Sequence, residues 1–481
     1  MNFAIVRYLI GWMLGIESIF LLLPALTAVI YGEAELPAYL TAAAISLAGA
    51  ALLCHRKPKN TRFYAREGYV TVALCWLVLA VIGALPFVLS REIPFFIDAL
   101  FETVSGFTTT GATILGDVEA LSHASMLWRC LTHWVGGMGV LVFMLIVLPL
   151  AGGQTIFLMR AESPGPAVSK MSPHMRDTAT ILYAIYFGLT VFQMILLLIG
   201  GMPFFDAICV SLGTAGTGGF GNWNDSIAHY NSAYLQNVIT VFMILFGINF
   251  SAYFLILTRK FRQAFRIEEI RVYLGVIFVF AGLIAFNVRP MFGSLRESFH
   301  HALFQVASII TTTGFSTVDF DQWPTFSRAL LVLLMFIGAC AGSTGGGIKC
   351  SRILLLGKSV KKEMMCLIHP RLVRVNKMDG QRVPHEVMRS INVFVVAYAF
   401  IFILSLLIIS LNCEDLVTCF TSVATTLNNV GPGLSLCGPT CNFDFFPPLS
   451  KCVLIFDMLA GRLELFPMLL LFTPGTWQRN K

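Results

Sequence analysis

The fold class predicted by the chain is an all-α polytopic membrane protein: four pseudo-repeated helix, pore helix with filter, and helix units around one pore, plus two extra N-terminal transmembrane helices. Three observations lead there. Of 481 residues, 57% are hydrophobic and 12% charged, and the mean hydropathy is +0.77, a balance that no water-facing globular surface carries. Long apolar runs alternate with loops, and basic clusters follow every second run, as in chains oriented by the positive-inside rule. Four short polar segments are wedged between pairs of runs, at 108–113 (TTTGAT), 217–221 (TGGFG), 311–316 (TTTGFS) and 428–433 (NNVGPG). Backbone that is not helical is tolerated at membrane depth only inside protein or along a wet cavity, and a fourfold set of such loops can surround one axis. The pattern points to a cation pore.

Taken in order, the spans are predicted at 5–31, 36–54, 70–89, 126–150, 178–200, 234–257, 270–288, 327–356, 391–411 and 452–472. The first is long enough to cross a bilayer and no small-residue cleavage pattern follows it, so it is read as a retained helix. Basic clusters at Arg56, Lys57, Lys59, Arg62 and Arg66, at Arg160, Lys170 and Arg176, at Arg259, Lys260, Arg262, Arg266 and Arg271, and from Lys349 to Arg389 put those loops and both termini in the cytoplasm. The net charge of +7 therefore reports topology, and no nucleic-acid partner is expected. Asp117, Glu119, Asn222, Asp225, Asp319 and Asp321 follow the polar segments on the outer side, where they would attract cations. The units divide at 1–66 (N-terminal hairpin), 67–177, 178–268, 269–383 and 384–481 (repeats one to four).

Apolar stretches at 94–107, 203–213, 297–310 and 414–426 are about three turns long, too short to span and long enough to descend partway. They are predicted pore helices. Asp98-Ala99, Asp206-Ala207 and His301-Ala302 stand at one constant distance before Gly111, Gly219 and Gly314, which selects Gly219 over Gly218 as the second filter glycine and aligns Phe220 with Phe315. The fourth copy, around Gly431, is the most diverged. Carbonyls that all face one axis need backbone angles closed to residues with a Cβ, and four such strands replace an ion's hydration shell. A single Thr-Gly cluster reads as a turn; four in the same setting read as a filter.

Two more features stand out. The run from Gly338 to Lys349, GACAGSTGGGIK, carries three adjacent glycines that each disfavour helix by about 1 kcal/mol, so the span at 327–356 should break near its middle, unless the glycines serve close packing instead. It is not a phosphate-binding loop, because Ile348 follows Gly347 where that motif requires lysine. Arg462 lies within the last span, where a charge costs a few kcal/mol, so it faces the bundle interior, water or a buried ion-pair partner. Glu464, two residues on, points elsewhere and is not its local partner. The nine histidines form no metal or catalytic motif and read as interfacial polar residues. The twelve cysteines read as small apolar side chains, with Cys437 and Cys441 open to bridging or to remaining free. An intramembrane enzyme would need a catalytic constellation and a scaffold would need no polar axis; the chain has neither signature, so no enzyme activity is expected.

With these segments the chain resembles the Trk/Ktr/HKT superfamily of potassium transporters, in its TrkH/TrkG-type branch, over almost its whole length and including the two extra N-terminal spans. The resemblance implies a potassium-binding filter at Thr109, Thr110, Gly111 and Ala112; at Gly218, Gly219 and Phe220; at Thr312, Thr313, Gly314 and Phe315; and at Asn429, Val430, Gly431 and Pro432. Glycine rather than serine at 111 implies selectivity for potassium over sodium. Gly213 to Gly216 depart from the more usual serine-rich approach to the second filter. The resemblance matches Gly342, Ser343, Thr344, Gly345, Gly346, Gly347 and Lys349 to an intramembrane gate loop, and Arg462 to a pore-facing arginine beside it. It further implies K+ as the transported ion, a TrkA-like cytosolic nucleotide-binding regulator, a homodimer and a place in the bacterial cell inner membrane. Channel-like uptake and H+- or Na+-coupled symport remain alternatives; a potential of about 100 mV, worth about 2.3 kcal/mol per charge, suffices for the former.

Overall fold

The computed structural model describes residues 1–58, 64–147, 175–371 and 375–478. The predicted basic positions Lys59, Arg62, Arg160 and Lys170 lie outside the described residues. The first two helices, Phe3–Tyr31 and Leu36–Cys54, form an antiparallel hairpin in which small residues bring the backbones close. A Cβ on Gly11 would stand 2.6 Å from the Cys54 sulfur, and Ser46 Oγ donates to Leu14 O at 2.8 Å, the small-residue packing usual between membrane helices. Leucine and isoleucine side chains such as Ile19, Leu26 and Ile30 face outward from the first helix.

Four helical units follow. Each has an outer helix (Ala65–Ser90, Met175–Ile199, Glu268–Val288, His385–Ser410) and a short pore helix (Phe96–Phe107, Phe204–Gly216, Leu295–Ile310, Leu416–Leu427). Each closes with an inner helix or helix pair: His123–Val147; Ala233–Phe246 with Phe250–Leu257; Thr325–Ile337 with Cys350–Ile368; and Pro448–Arg462 with Phe466–Leu471. Ser232, Ser294 and Asp415 cap three of these starts by accepting a backbone N–H. Among the described residues, six helices are long and apolar enough to cross a membrane, or seven if the bent pair counts as one span.

The predicted break in repeat three is present, with residues 338–349 leaving the helix between Ile337 and Cys350. Two predicted continuous spans are also broken. The span expected at 234–257 bends by 93° between Phe246 and Phe250, where a Cβ on Gly247 would meet the Tyr273 hydroxyl at 2.3 Å. The span expected at 452–472 stops at Arg462, and Glu464 and Leu465 take left-handed φ of 56° and 69°. Pro467 at the start of the next segment has no N–H to continue the ladder. Arg462 therefore sits at a helix end rather than in mid-span. On the cytosolic side as predicted from charge, Lys377 pairs with Arg382 and Met378 with Gln381 in a two-stranded hairpin. Its turn places Asp379 and Gly380 at φ of 52° and 79°, as a two-residue type I′ turn requires.

Candidate functional site

The four pore helices end in the same way. Thr109, Thr217, Thr312 and Asn429 take left-handed φ between 53° and 56°. The next residue of each donates its N–H back to the helix, Thr110 to Ser105 O (2.9 Å), Gly218 to Gly213 O (2.9 Å), Thr313 to Ser308 O (2.8 Å) and Val430 to Thr425 O (2.8 Å). This is a Schellman-type stop, which normally uses glycine at the left-handed position. Three threonines there are strained, since a β-branched side chain at positive φ is rare and such strain gathers at functional sites. Hydroxyl pairs brace two of the strands, Thr108 with Thr110 at 2.8 Å and Thr311 with Thr313 at 2.7 Å.

Gly111, Gly219, Gly314 and Gly431 then take φ of 80°, 81°, 87° and 96°. The space a side chain would fill at each is taken by a carbonyl oxygen of the neighbouring strand. A Cβ would lie 2.0 Å from Gly218 O at Gly111, 1.9 Å from Thr313 O at Gly219, 2.6 Å from Val430 O at Gly314 and 2.6 Å from Thr110 O at Gly431. The circuit visits each repeat once and closes on the first. All four glycines line one cavity, together with Ala112, Phe220 and Pro432. Phe315 is fully buried, and its carbonyl accepts from Ser308 Oγ at 2.6 Å. Gly216, in the atypical approach to the second segment, has no room for a side chain, because a Cβ would stand 2.2 Å from His133 O.

Three residues behind these strands carry more than their sequence suggested. His133, read as interfacial, is completely buried. Its Nδ1 pairs with Gly106 O at 2.8 Å, and its Nε2 accepts the Phe220 N–H at 3.2 Å, so the neutral ring joins the first pore helix to the second strand. Its ring fills the side-chain space of Gly218, 2.2 Å from an ideal Cβ. Arg129 Nε donates to Glu102 Oε1 at 2.8 Å with both side chains buried, and its guanidinium lies 4.0 Å from the Phe220 ring centre. Glu102 also accepts from Thr113 Oγ1 and from the Ile114 N–H, each at 3.0 Å. Intramembrane charge, the signal that singled out Arg462, was present for this pair too.

The loop 338–349 lies against the inner end of the strands. Gly346 N donates to Thr312 Oγ1 at 2.6 Å and Gly347 N to Asn428 O at 3.0 Å. A Cβ on Gly345 or Gly346 would stand 2.9 Å from Thr311 O or 2.5 Å from Asn428 O. The loop also fills the bend of repeat two, with Cys340 N donating to Gly247 O (3.1 Å), Phe250 N to Gly342 O (3.0 Å) and Thr344 Oγ1 to Phe246 O (3.3 Å). Backbone groups freed by the bend thus find partners. Ser343 Oγ turns back to Cys340 O at 2.6 Å, and Lys349 Nζ donates to Gly345 O. Arg462 reaches two carbonyls, Thr344 O through Nη1 and Gly136 O through Nη2, both at 2.8 Å. Glu464 pairs instead with Arg352, whose guanidinium lies over the Phe394 ring. Glu269 Oε1 accepts from Ala341 N (2.7 Å) and Ser351 N (3.0 Å), clasping both limbs of the loop.

On the opposite side of the strands, Asp117 stands between the cavity-lining residues Gly116 and Val118. The Asn224 side chain and the Glu119 N–H, both bonded to Asp117, hold its carboxyl below the usual range. Asp415, at the start of the fourth pore helix, is pushed down to about 2 by hydrogen bonds led by Thr418. Lys451 is neutralised by Asp98 at 2.7 Å and Asp444 at 3.2 Å. Cys437 and Cys441 are both free thiols. Among the described residues no group of histidine, cysteine and carboxylate side chains is arranged to hold a metal.

Known proteins share this architecture. The TrkH family model, described as a cation transport protein, matches residues 38–280 and 279–478. The Trk system potassium uptake protein TrkH of Escherichia coli strain K12 is 38% identical over 484 residues, covering 99% of this chain and 100% of its own. The Trk system potassium uptake protein TrkG of the same strain is 33% identical over 479 residues, covering 98% of each. The crystal structure of the potassium transporter TrkH from Vibrio parahaemolyticus superposes with a TM-score of 0.89 at 33% identity, over 99% of this chain and 100% of that one.

Proposed function

Because the chain belongs to the TrkH family of cation transport proteins, we propose that it takes up potassium across a bacterial inner membrane through one pore enclosed by its four repeats. The observation that carries this reading is the closed circuit of carbonyl oxygens at 110, 218, 313 and 430 against the left-handed glycines 111, 219, 314 and 431. With no side chain between strands, carbonyl dipoles are the groups available to stand in for an ion's water shell. Four pore helices end directly at this ring, and the partial negative charge of each C-terminus favours a cation there. Asp117, next to the lining residues Gly116 and Val118, favours a cation near the cavity before entry.

Residues 342–347 act as the gate in this reading, and Arg462 latches them. The support is positional: the loop hydrogen-bonds to Thr312 and Asn428 beside the ring, and a fixed positive charge nearby raises the barrier to a cation. Opening is controlled from the cytoplasm by a TrkA-like nucleotide-binding regulator, on a homodimer whose termini are cytoplasmic. A route for that control exists in the hydrogen bonds. Asp379 of the two-stranded hairpin accepts the Glu268 N–H at 2.7 Å, and Lys358 ties Glu268 (2.6 Å) to Lys377 O (2.8 Å). The next residue, Glu269, holds the loop.

The full chain in proteoliposomes tests the transport reading. Potassium tracer should accumulate down an imposed inside-negative potential and sodium tracer should not. Equal movement of both ions, or of neither, would remove the basis for the filter.

A further inference from the structure

Asp206 stands in the first turn of the second pore helix, Phe204–Gly216, and is buried. Its carboxyl collects three hydrogen bonds from the segment that follows the second filter strand. Asn222 Nδ2 donates to Oδ1 at 2.7 Å, and Oδ2 accepts from Trp223 Nε1 at 3.2 Å and from the Tyr230 hydroxyl at 2.7 Å. An indole N–H can only donate and an ionised carboxylate can only accept, so the set suits a charged Asp206. Trp223 also belongs to the wall of the cavity that the four filter glycines line, a space of about 130 Å³. The carboxylate therefore lies one side chain behind that wall.

No cation cancels this charge, because the side-chain partners of Asp206 among the described residues are all neutral. The other repeats differ at the same register before the filter glycine. Asp98 of the first is neutralised by Lys451 at 2.7 Å, and the third and fourth have His301 and Thr418 there. Nearby acids are cancelled or screened. Glu102 is paired with Arg129 and Asp321 with Arg328, and Asp225 faces His229 at 3.5 Å. Asp117 and Glu119 are exposed, where water and salt damp a charge.

We infer that Asp206 governs cation capture at the outer mouth, its uncancelled charge behind the Trp223 wall drawing a cation toward the second filter strand before the carbonyl ring. It touches no ion and acts through its field, as a positioning residue. A buried carboxylate is surrounded by a lower dielectric than a surface acid, so its field reaches farther into the cavity. The partial positive charge of the helix N-terminus keeps it ionised while offsetting only part of that field. The inference rests on the reading of the glycine ring as a cation filter.

The test uses the full chain in proteoliposomes with potassium tracer as the probe. Asp206→Asn keeps the shape and removes the charge. Its KM for external K+ should rise about 3- to 10-fold at an unchanged maximal rate, the scale of one unit charge felt through a partly wet medium. Asn222→Lys, which sets a cation against the intact carboxylate, should raise KM as well, and it decides the matter if Asp206→Asn does not insert. Tyr230→Phe removes one brace and leaves the charge, so its KM should stay at the wild-type value. A second measurement needs no transport: the K+ concentration giving half of the K+-dependent rise in unfolding temperature in detergent should increase in Asp206→Asn and not in Tyr230→Phe. A wild-type KM in Asp206→Asn or in Asn222→Lys overturns the inference, and so does a Tyr230→Phe KM raised as far, which would mark a brace in place of a charge. Should the wild type carry no tracer at all, the filter reading fails and the unfolding midpoint decides. A midpoint that Asp206→Asn leaves in place, or no K+-dependent rise, then overturns the role of Asp206 too.

Discussion

Replacing Arg462 with alanine should raise basal potassium flux in the absence of any regulator, and its size follows from the contacts. The side chain makes one charge-assisted hydrogen bond to the loop, at Thr344 O, and one to the first inner helix, at Gly136 O, both at 2.8 Å. A hydrogen bond to a charged group contributes about 1.5–3 kcal/mol. Losing the loop contact alone therefore weakens the closed state by that amount, and the ratio of open to closed loops rises about 10- to 150-fold. Arg462→Lys keeps the charge but not the fork, so it can hold one carbonyl at a time and should recover about half of the lost free energy. Deleting residues 345–347 removes the same obstruction together with the Gly346 and Gly347 hydrogen bonds to Thr312 and Asn428. The double variant should fall short of the sum of the two effects, because both act on one element. Tracer efflux from proteoliposomes at matched protein insertion is the assay. Wild-type flux in a folded Arg462→Ala protein, or full additivity with the deletion, would refute the latch.

Gly111→Ser places a Cβ 2.0 Å from Gly218 O at a φ of 80°, so strand two must shift and discrimination of potassium from sodium should weaken; an unchanged reversal potential in mixed gradients would contradict the ring. Glu102→Gln leaves Arg129 buried without its counter-charge, at about 3–5 kcal/mol, and thermal unfolding in detergent should show a clear loss of stability. Glu269→Gln retains an acceptor but replaces charged hydrogen bonds to Ala341 and Ser351 with weaker neutral ones, so basal flux should rise less than in Arg462→Ala, and a flux equal to wild type would take Glu269 out of the coupling route.

Much of this architecture was legible because it is local and repeated. A constant offset picked Gly219 over Gly218, and the φ of 81° falls at 219. Three adjacent glycines announced the break in repeat three. What stayed hidden depends on contacts between repeats. Nothing near Gly247 marks a 93° bend until Cys340 and Gly342 arrive from repeat three to satisfy the freed backbone groups. His133 lacks a motif because its partners, Gly106 and Phe220, belong to two different repeats. Arg129 and Glu102 were visible as charges inside apolar runs, and the expense of intramembrane charge applied to them as much as to Arg462. The break after Arg462 was signalled by Pro467.

The divergence of the fourth segment follows from what it touches. In repeats one and three the strand begins with threonines whose hydroxyls bond to each other. In repeat four Asn428 and Asn429 occupy that place; the Asn428 amide turns back to Ala424 O at 2.8 Å, and Asn429 bonds outward. Asn429 donates to Thr110 Oγ1 at 3.0 Å and to Met458 O at 2.9 Å, so it joins strand four to strand one and to the inner helix at once. Asparagine also tolerates the left-handed angle better than threonine does. The helix behind it approaches so closely that a Cβ on Gly461 would stand 2.1 Å from Leu427 O, and Arg462 follows directly. A strand that must anchor to the last inner helix on one face, to the loop through Asn428 on another and to strand one on a third has no position left for a hydroxyl ladder. Its departure from the TTTG pattern is therefore what the meeting of ring, loop and arginine at one repeat requires.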